Sequence, residues 1–118
     1  MSRDPLLYLS DMLVCCEKAR RYVRGVDARA FVADERTFDA VLRNLEVLGE
    51  AAKRVPEDMR REMPGIDWRG AAGLRDVLIH GYSGIDAYVV WEVVTTKLPA
   101  VETELRRFLG LGEAPPRP

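Results

Sequence analysis

The sequence predicts an all-α protein, an antiparallel bundle of about four to five main helices. Three observations carry that expectation. Apolar residues recur at spacings of three and four through long stretches, the period of a helix with one buried face. Helix start and stop residues bracket those stretches. No segment shows the sustained two-residue alternation of a half-buried strand.

Asp4 and Pro5 open the first helix, an N-cap followed by proline in the first turn. Leu6, Leu9, Leu13, Cys16, Ala19 and Val23 form its apolar stripe, and Gly25 ends it. Asp27 caps a short helix through Phe31. Phe38, Val41, Leu42, Leu45, Leu48, Gly49, Ala52 and Val55 make a second long stripe, ended by Pro56. Glu57 to Glu62 reads as a short helix or turn before Pro64 and Gly65. Asp67 caps the next helix, which runs to His80 and stops at Gly81. The stretch DAYVVWEVVTTKL is rich in valine and threonine, which favour strand by propensity. A lone strand among helices would leave its backbone groups without partners, so the stretch reads as helix, capped by Asp86. Pro99 either kinks that helix or starts a last one bearing Val101, Leu105, Phe108 and Leu109. Residues 1–111 are expected to form a single helical domain and residues 112–118 a flexible tail.

Composition narrows the function. The 118 residues are 47% hydrophobic and 31% charged, as in an ordinary soluble globular protein. A net charge of −1 supplies no global field for a nucleic acid, so any such binding must rest on local patches. No apolar run approaches the roughly 20 residues that span a bilayer, and the N-terminus carries charges where a signal peptide is apolar. A cytoplasmic protein with no membrane association is expected. Cys15 and Cys16 are adjacent, and a ring between neighbours would be strained, so both read as free thiols in a reducing compartment. With one histidine and this one cysteine pair, no metal-ligand spacing is recognisable, and neither a metal nor another cofactor is expected.

The chemistry gathers in GLRDVLIHGY, residues 73–82, which holds the sole histidine. Asp76 and His80 are four apart and share a helix face, where a carboxylate can set the imidazole tautomer or favour its protonated form. Arg75 lies about 140° around the helix from His80, yet arginine is long and the helix is ending there. A guanidinium offers a planar fork to two phosphate oxygens, and an imidazole moves protons near neutrality. RNA supplies its own nucleophile in the 2′-hydroxyl, so its cleavage needs proton transfer and charge stabilisation at the phosphate. Two proton transfers are wanted, and a chain with one histidine can present two only by dimerising. On spacing alone a plainer reading stands beside this one: a histidine on the helix C-terminal dipole and a structural Arg-Asp pair.

Arg75, Asp76, His80 and Tyr82 also spell R-x(4)-H-x-Y with a polar residue after the arginine. With AVLRNLEVLGEAAKR, PGIDWRGAAGLRD and IDAYVVWEVVTTKLP in order around it, the chain resembles the HepT-like HEPN proteins over nearly its whole length. That family supplies the toxin halves of type VII HEPN/MNT toxin–antitoxin pairs. The resemblance implies a HEPN-like homodimeric bundle whose signature helices line a cleft between protomers. It also implies a metal-independent endoribonuclease with Arg75 and His80 catalytic and Asp76 as their polar companion. The implied partners are an RNA substrate and a cognate MNT-type nucleotidyltransferase antitoxin. In some pairs that antitoxin transfers AMP from ATP onto the signature tyrosine, which maps onto Tyr82. Bulk and negative charge there would exclude an RNA phosphate. A competing function is a non-catalytic helical module that holds the nucleotidyltransferase or its nucleotide or substrate. A purely structural bundle is a third.

Other residues have two readings each. Glu46 and Glu50 lie four apart; Glu50 either supports the signature residues or contacts the partner, or else pairs with Arg54 on a solvated face. Gly49 in mid-helix costs roughly 1 kcal/mol relative to alanine, which points to close helix approach. Trp68 and Trp91 read as core rather than base-stacking platforms. Tyr8, Tyr22 and Tyr88 read as core or rim. Arg20, Arg21 and Arg24 either guide RNA or the antitoxin or form a charged solvent face.

Overall fold

The structure, a computed structural model, describes residues 3–80 and 85–114, and of residues 75–80 the backbone alone. The described residues form helices α1 (Pro5–Tyr22), α2 (Ala28–Ala33), α3 (Glu35–Lys53), α4 (Glu57–Arg61), α5 (Trp68–His80), α6 (Ala87–Glu92) and α7 (Leu98–Phe108). A π-helical segment, Val93–Lys97, joins α6 to α7. No strand occurs among these residues. Because α6, the π segment and α7 are continuous, the bundle has four long members, with α2 and α4 as short connectors.

The capping residues act as the sequence predicts. Asp4 accepts the Leu6 N–H at 2.9 Å, Asp27 the Ala30 N–H at 2.8 Å, and Asp86 the Tyr88 N–H at 2.8 Å. Each satisfies one of the donors left open at a helix start. A further cap, not among those expected, is Asp34. It accepts the Thr37 N–H at 3.1 Å and the Thr37 hydroxyl at 2.6 Å, and these bonds hold its carboxyl below the ordinary range. Gly25, at φ +72°, takes the left-handed turn that ends α1.

The core is made by α3 lying between α1 and α5. Leu9, Met12, Cys16 and Ala19 of α1 and Val41, Leu45 and Ala52 of α3 are fully buried. Phe31 of α2 closes one end, its ring 5.9 Å from that of Phe38. The first stripe departs from expectation at one end. Leu6 is 46% exposed, whereas Met12 and Cys15 are buried. At 100° per residue the buried arc of α1 centres near Met12 and Val23, and Leu6 falls about 100° away from that centre.

The helix around Pro99 is neither simply kinked nor broken. Proline cannot donate to the carbonyl four residues back, and its ring crowds that carbonyl. The chain widens by one residue per turn over Val93–Lys97, and the Leu98 N–H bonds the Val93 carbonyl. Thr95 and Thr96 donate their hydroxyls to the Trp91 and Glu92 carbonyls at 2.9 and 2.6 Å, occupying acceptors in this stretch. Leu98 then begins α7, as one of the two alternatives had it.

Where α7 crosses α1, the Arg20 guanidinium meets the Glu102 carboxylate at 2.6 Å. Glu102 is buried, so its charge is tolerable only because it is paired. Arg20 is therefore not part of a plain solvated face. Beside it, Cys16 donates its thiol to the Leu98 carbonyl at 3.4 Å. Burial, and then the nearby Glu102 charge, push the Cys16 thiol up to about 12; burial raises that of Cys15 as well. Both cysteines are free.

Removing Arg20 leaves the Glu102 charge buried without its partner. Arg20→Ala should lower the unfolding free energy by about 2–3 kcal/mol, discounted from the full buried-pair value because the Arg20 head is partly exposed. Arg3→Ala, which breaks the exposed pair to Asp11 and the contact of Arg3 with the Tyr8 ring at 4.9 Å, should cost about 1 kcal/mol. Urea denaturation of the two variants measures the difference. A raised pKa suppresses the reactive thiolate at pH 8. Both cysteines should therefore resist iodoacetamide in the folded protein and alkylate together in denaturant, as read by mass spectrometry.

Candidate active site

The helix that carries the signature residues is anchored at its start. Asp67 accepts the Gly70 N–H at 2.9 Å, capping α5. A Cβ at position 70 would run into the Asp67 carboxylate, so glycine is what lets the cap fold over the first turn. Trp68, the first residue of α5, is buried and donates its indole N–H to the Met63 carbonyl at 3.1 Å. Arg60 of α4 lies over the Trp68 ring at 5.7 Å. The same guanidinium donates to the Val55 and Ala52 carbonyls at 2.9 and 3.0 Å, closing the open C-terminus of α3. One arginine thus ties the end of α3 to the start of α5. No rule of spacing singles Arg60 out in the sequence, because its acceptors are backbone carbonyls, Ala52 at the end of α3 and Val55 just beyond it.

Arg75, Asp76 and His80 follow on the C-terminal half of α5, and their backbones are helical. Asp76 and His80 therefore keep the four-residue spacing of one helix face. The convergence of the Arg75 and His80 side chains lies outside the described residues, as do Gly81 and Tyr82. Leu74, the residue before Arg75, lines a cleft of about 480 Å³ between α5 and the helix that follows the signature. Leu48, Ala71, Val93, Leu98 and Val101 supply its apolar walls.

Glu50 sits on α3, the helix against which α5 packs. Its carboxylate meets Arg54 at 3.1 Å, the local pair that one of its two readings predicts. Both side chains line a groove of about 280 Å³ shared with Arg3, Tyr8, Asp11 and Arg43. This groove joins the start of α1 to the end of α3, so these two helices run antiparallel. Gly49 is buried in α3, consistent with close helix approach.

The aromatic residues divide as follows. Trp68 is core, and Trp91 is half-buried with its indole N–H on the Val26 carbonyl at 3.0 Å. Neither ring is an open stacking platform. Tyr8 and Tyr22 are half-buried, whereas Tyr88 is exposed rather than core or rim. Among the described residues, no three His, Cys, Asp or Glu side chains stand together as metal ligands. None of the described helices is long and apolar enough to cross a membrane.

Comparison with known proteins bears on this arrangement. A family model described as ribonuclease HepT-like matches residues 12–108, a range that includes all of α3 and α5 and the Arg75 to Tyr82 signature. The chain is similar to the probable ribonuclease HepT of Thermococcus cleftensis, at 36% identity over 108 residues, covering 92% of this chain and 98% of that one. It is 34% identical over 107 residues to a candidate RNase of Caldanaerobacter subterraneus subsp. tengcongensis, covering 91% and 96%. It is 38% identical over 107 residues to a candidate RNase of Methanocaldococcus jannaschii, covering 91% and 88%. No solved structure matches the chain.

Proposed function

The chain belongs to the HepT-like ribonuclease family, and on that premise we propose that it is a metal-independent endoribonuclease toxin of a type VII toxin–antitoxin pair. The observation that carries the reading is the family match over residues 12–108, which takes in Arg75, His80 and Tyr82. In this reading, two copies of the chain pair about a two-fold axis and each brings an Arg75 and a His80 to a shared cleft. One imidazole takes the proton of an RNA 2′-hydroxyl, whose oxygen attacks the adjacent phosphorus. The bond from phosphorus to the 5′-oxygen breaks, and the second imidazole protonates that oxygen. The product ends are a 2′,3′-cyclic phosphate and a 5′-hydroxyl. The Arg75 guanidinia hold the phosphate oxygens as charge builds on them. Asp76, one helical turn before His80, orients the imidazole or supports its cationic form. Glu50 supports from the neighbouring helix, in a role beyond its pair with Arg54. The antitoxin is a nucleotidyltransferase of the MNT type. It transfers AMP from ATP to the Tyr82 hydroxyl, releasing pyrophosphate, and the added phosphate and bulk shut the cleft to RNA.

Purified protein should cleave tRNA or mRNA in the presence of EDTA and leave DNA, which lacks the 2′-hydroxyl, intact. Arg75→Ala and His80→Ala should each lose at least about 100-fold in rate on a gel assay, the low end of what one acid–base group contributes. Equal cutting by the wild type and His80→Ala would trace the activity to a contaminant and remove the proposal. Incubation with the neighbouring nucleotidyltransferase and ATP should add AMP-sized mass at Tyr82 and none in Tyr82→Phe. An unmodified wild-type chain that is nonetheless inhibited would replace AMP transfer with simple complex formation.

A further inference from the structure

The chain as a whole is slightly acidic, yet between Lys18 and Arg29 five basic side chains stand against one carboxylate, Asp27. That carboxylate is engaged in capping α2, and Arg20 is drawn inward by Glu102. Lys18, Arg21, Arg24 and Arg29 remain exposed, and none has an acidic partner among the described residues. Arg21 lies over the Tyr22 ring at 5.4 Å. Lys18 and Arg21 are three apart on α1, so they lie about 60° apart around the helix and about 4.5 Å along it. Arg24 continues the ridge in the turn that follows. Like charges at this spacing repel, and a polyanion laid across them removes the penalty.

Beside Arg24 opens a pocket of about 430 Å³ between the end of α1 and the π-helical segment. Arg20 and Arg24 stand at it together with Asp27, which caps α2, and Val23, Val26, Val94 and Pro99 supply apolar walls. Its volume suits a small planar group, and guanidinium planes stack on nucleobases. No large apolar side chain is exposed between Lys18 and Arg29, although Val14, one turn before Lys18, and Val32, three residues after Arg29, are; the charge of the stretch is what favours a polyanion.

We infer that the ridge of Lys18, Arg21, Arg24 and Arg29 is a docking strip for single-stranded RNA, with one base seated in the pocket beside Arg24. The strip lies on α1 and α2, away from the signature helix in the sequence. It deepens the ribonuclease reading, on which it rests, by assigning substrate binding outside the reacting residues.

Fluorescence anisotropy with a 2′-O-methyl single-stranded oligonucleotide tests docking apart from cleavage, since the blocked hydroxyl cannot attack. For the full-length chain, log K should fall linearly with log salt. Arg21→Ala/Arg24→Ala should reduce the size of that slope by about 1.4, two phosphates at about 0.7 each, and weaken binding about tenfold at low salt. Arg36→Ala/Arg61→Ala removes the same charge from exposed positions elsewhere and should keep the wild-type slope. An unchanged slope in the ridge variant, or an equal loss in the charge-matched one, overturns the strip. So does intact RNA affinity with lost binding of the nucleotidyltransferase, which would give the ridge to the protein partner. If the wild type cuts no RNA while the ridge variant still loses docking, the ribonuclease reading fails and the strip stands.

Discussion

The apolar face of α3 must be covered on two sides at once, and the rest of the molecule follows from that demand. α1 covers one side and α5 the other, with Leu45, Leu48 and Ala52 buried between them. Burial of one such aliphatic side chain contributes about 1.5–3 kcal/mol, so neither neighbour can leave without exposing a large share of the core. The signature helix is thus half of the shell around α3. Arg60 and Trp68 set its starting point by linking the carbonyls at the end of α3 to the first turn of α5. The backbone course of α5 through Arg75 and His80 therefore starts from contacts made two to three turns earlier on the same helix.

The opposite side of the bundle solves a different problem. α6 and α7 form one long member interrupted by a proline, and the extra width of the π segment absorbs the missing N–H. The same region buries Glu102 beneath Arg20. A buried ion pair contributes little net stability compared with a well-packed apolar pair, but it penalises any arrangement that separates the partners. Here it fixes how α7 crosses α1. It also leaves one guanidinium standing at the pocket that the widened helix opens.

A bundle with one histidine is economical if its chemistry is assembled between copies. In the proposed function each chain holds one proton-transfer group, and a two-fold axis would supply the second. The same economy makes inhibition simple. In the proposed function, AMP on Tyr82 would add both charge and bulk at the cleft between copies.

How much of this is legible from residues alone depends on the range over which each cause acts. Helix starts at Asp4, Asp27, Asp67 and Asp86 are local: a side-chain oxygen bonds an N–H two or three residues on, and the sequence states it directly. The stripes of α1 and α3, the helical state of the valine-rich stretch, and the placement of Arg75 and His80 on one helix follow from period and position. Leu6, Arg20, Tyr88 and Arg60 do not. Leu6 and Tyr88 lie near helix starts, where the reach of neighbouring helices decides exposure. Arg20 finds its partner 82 residues away, and Arg60 in backbone carbonyls at and just past the end of α3. The amino-acid order by itself thus determined the main helices and the place of Arg75 and His80 on one of them, because those rest on contacts within about one helical turn. Only the tertiary structure decided which arginines are held and which stay open, because that depends on which distant carboxylates and carbonyls the packing of helices brings within reach.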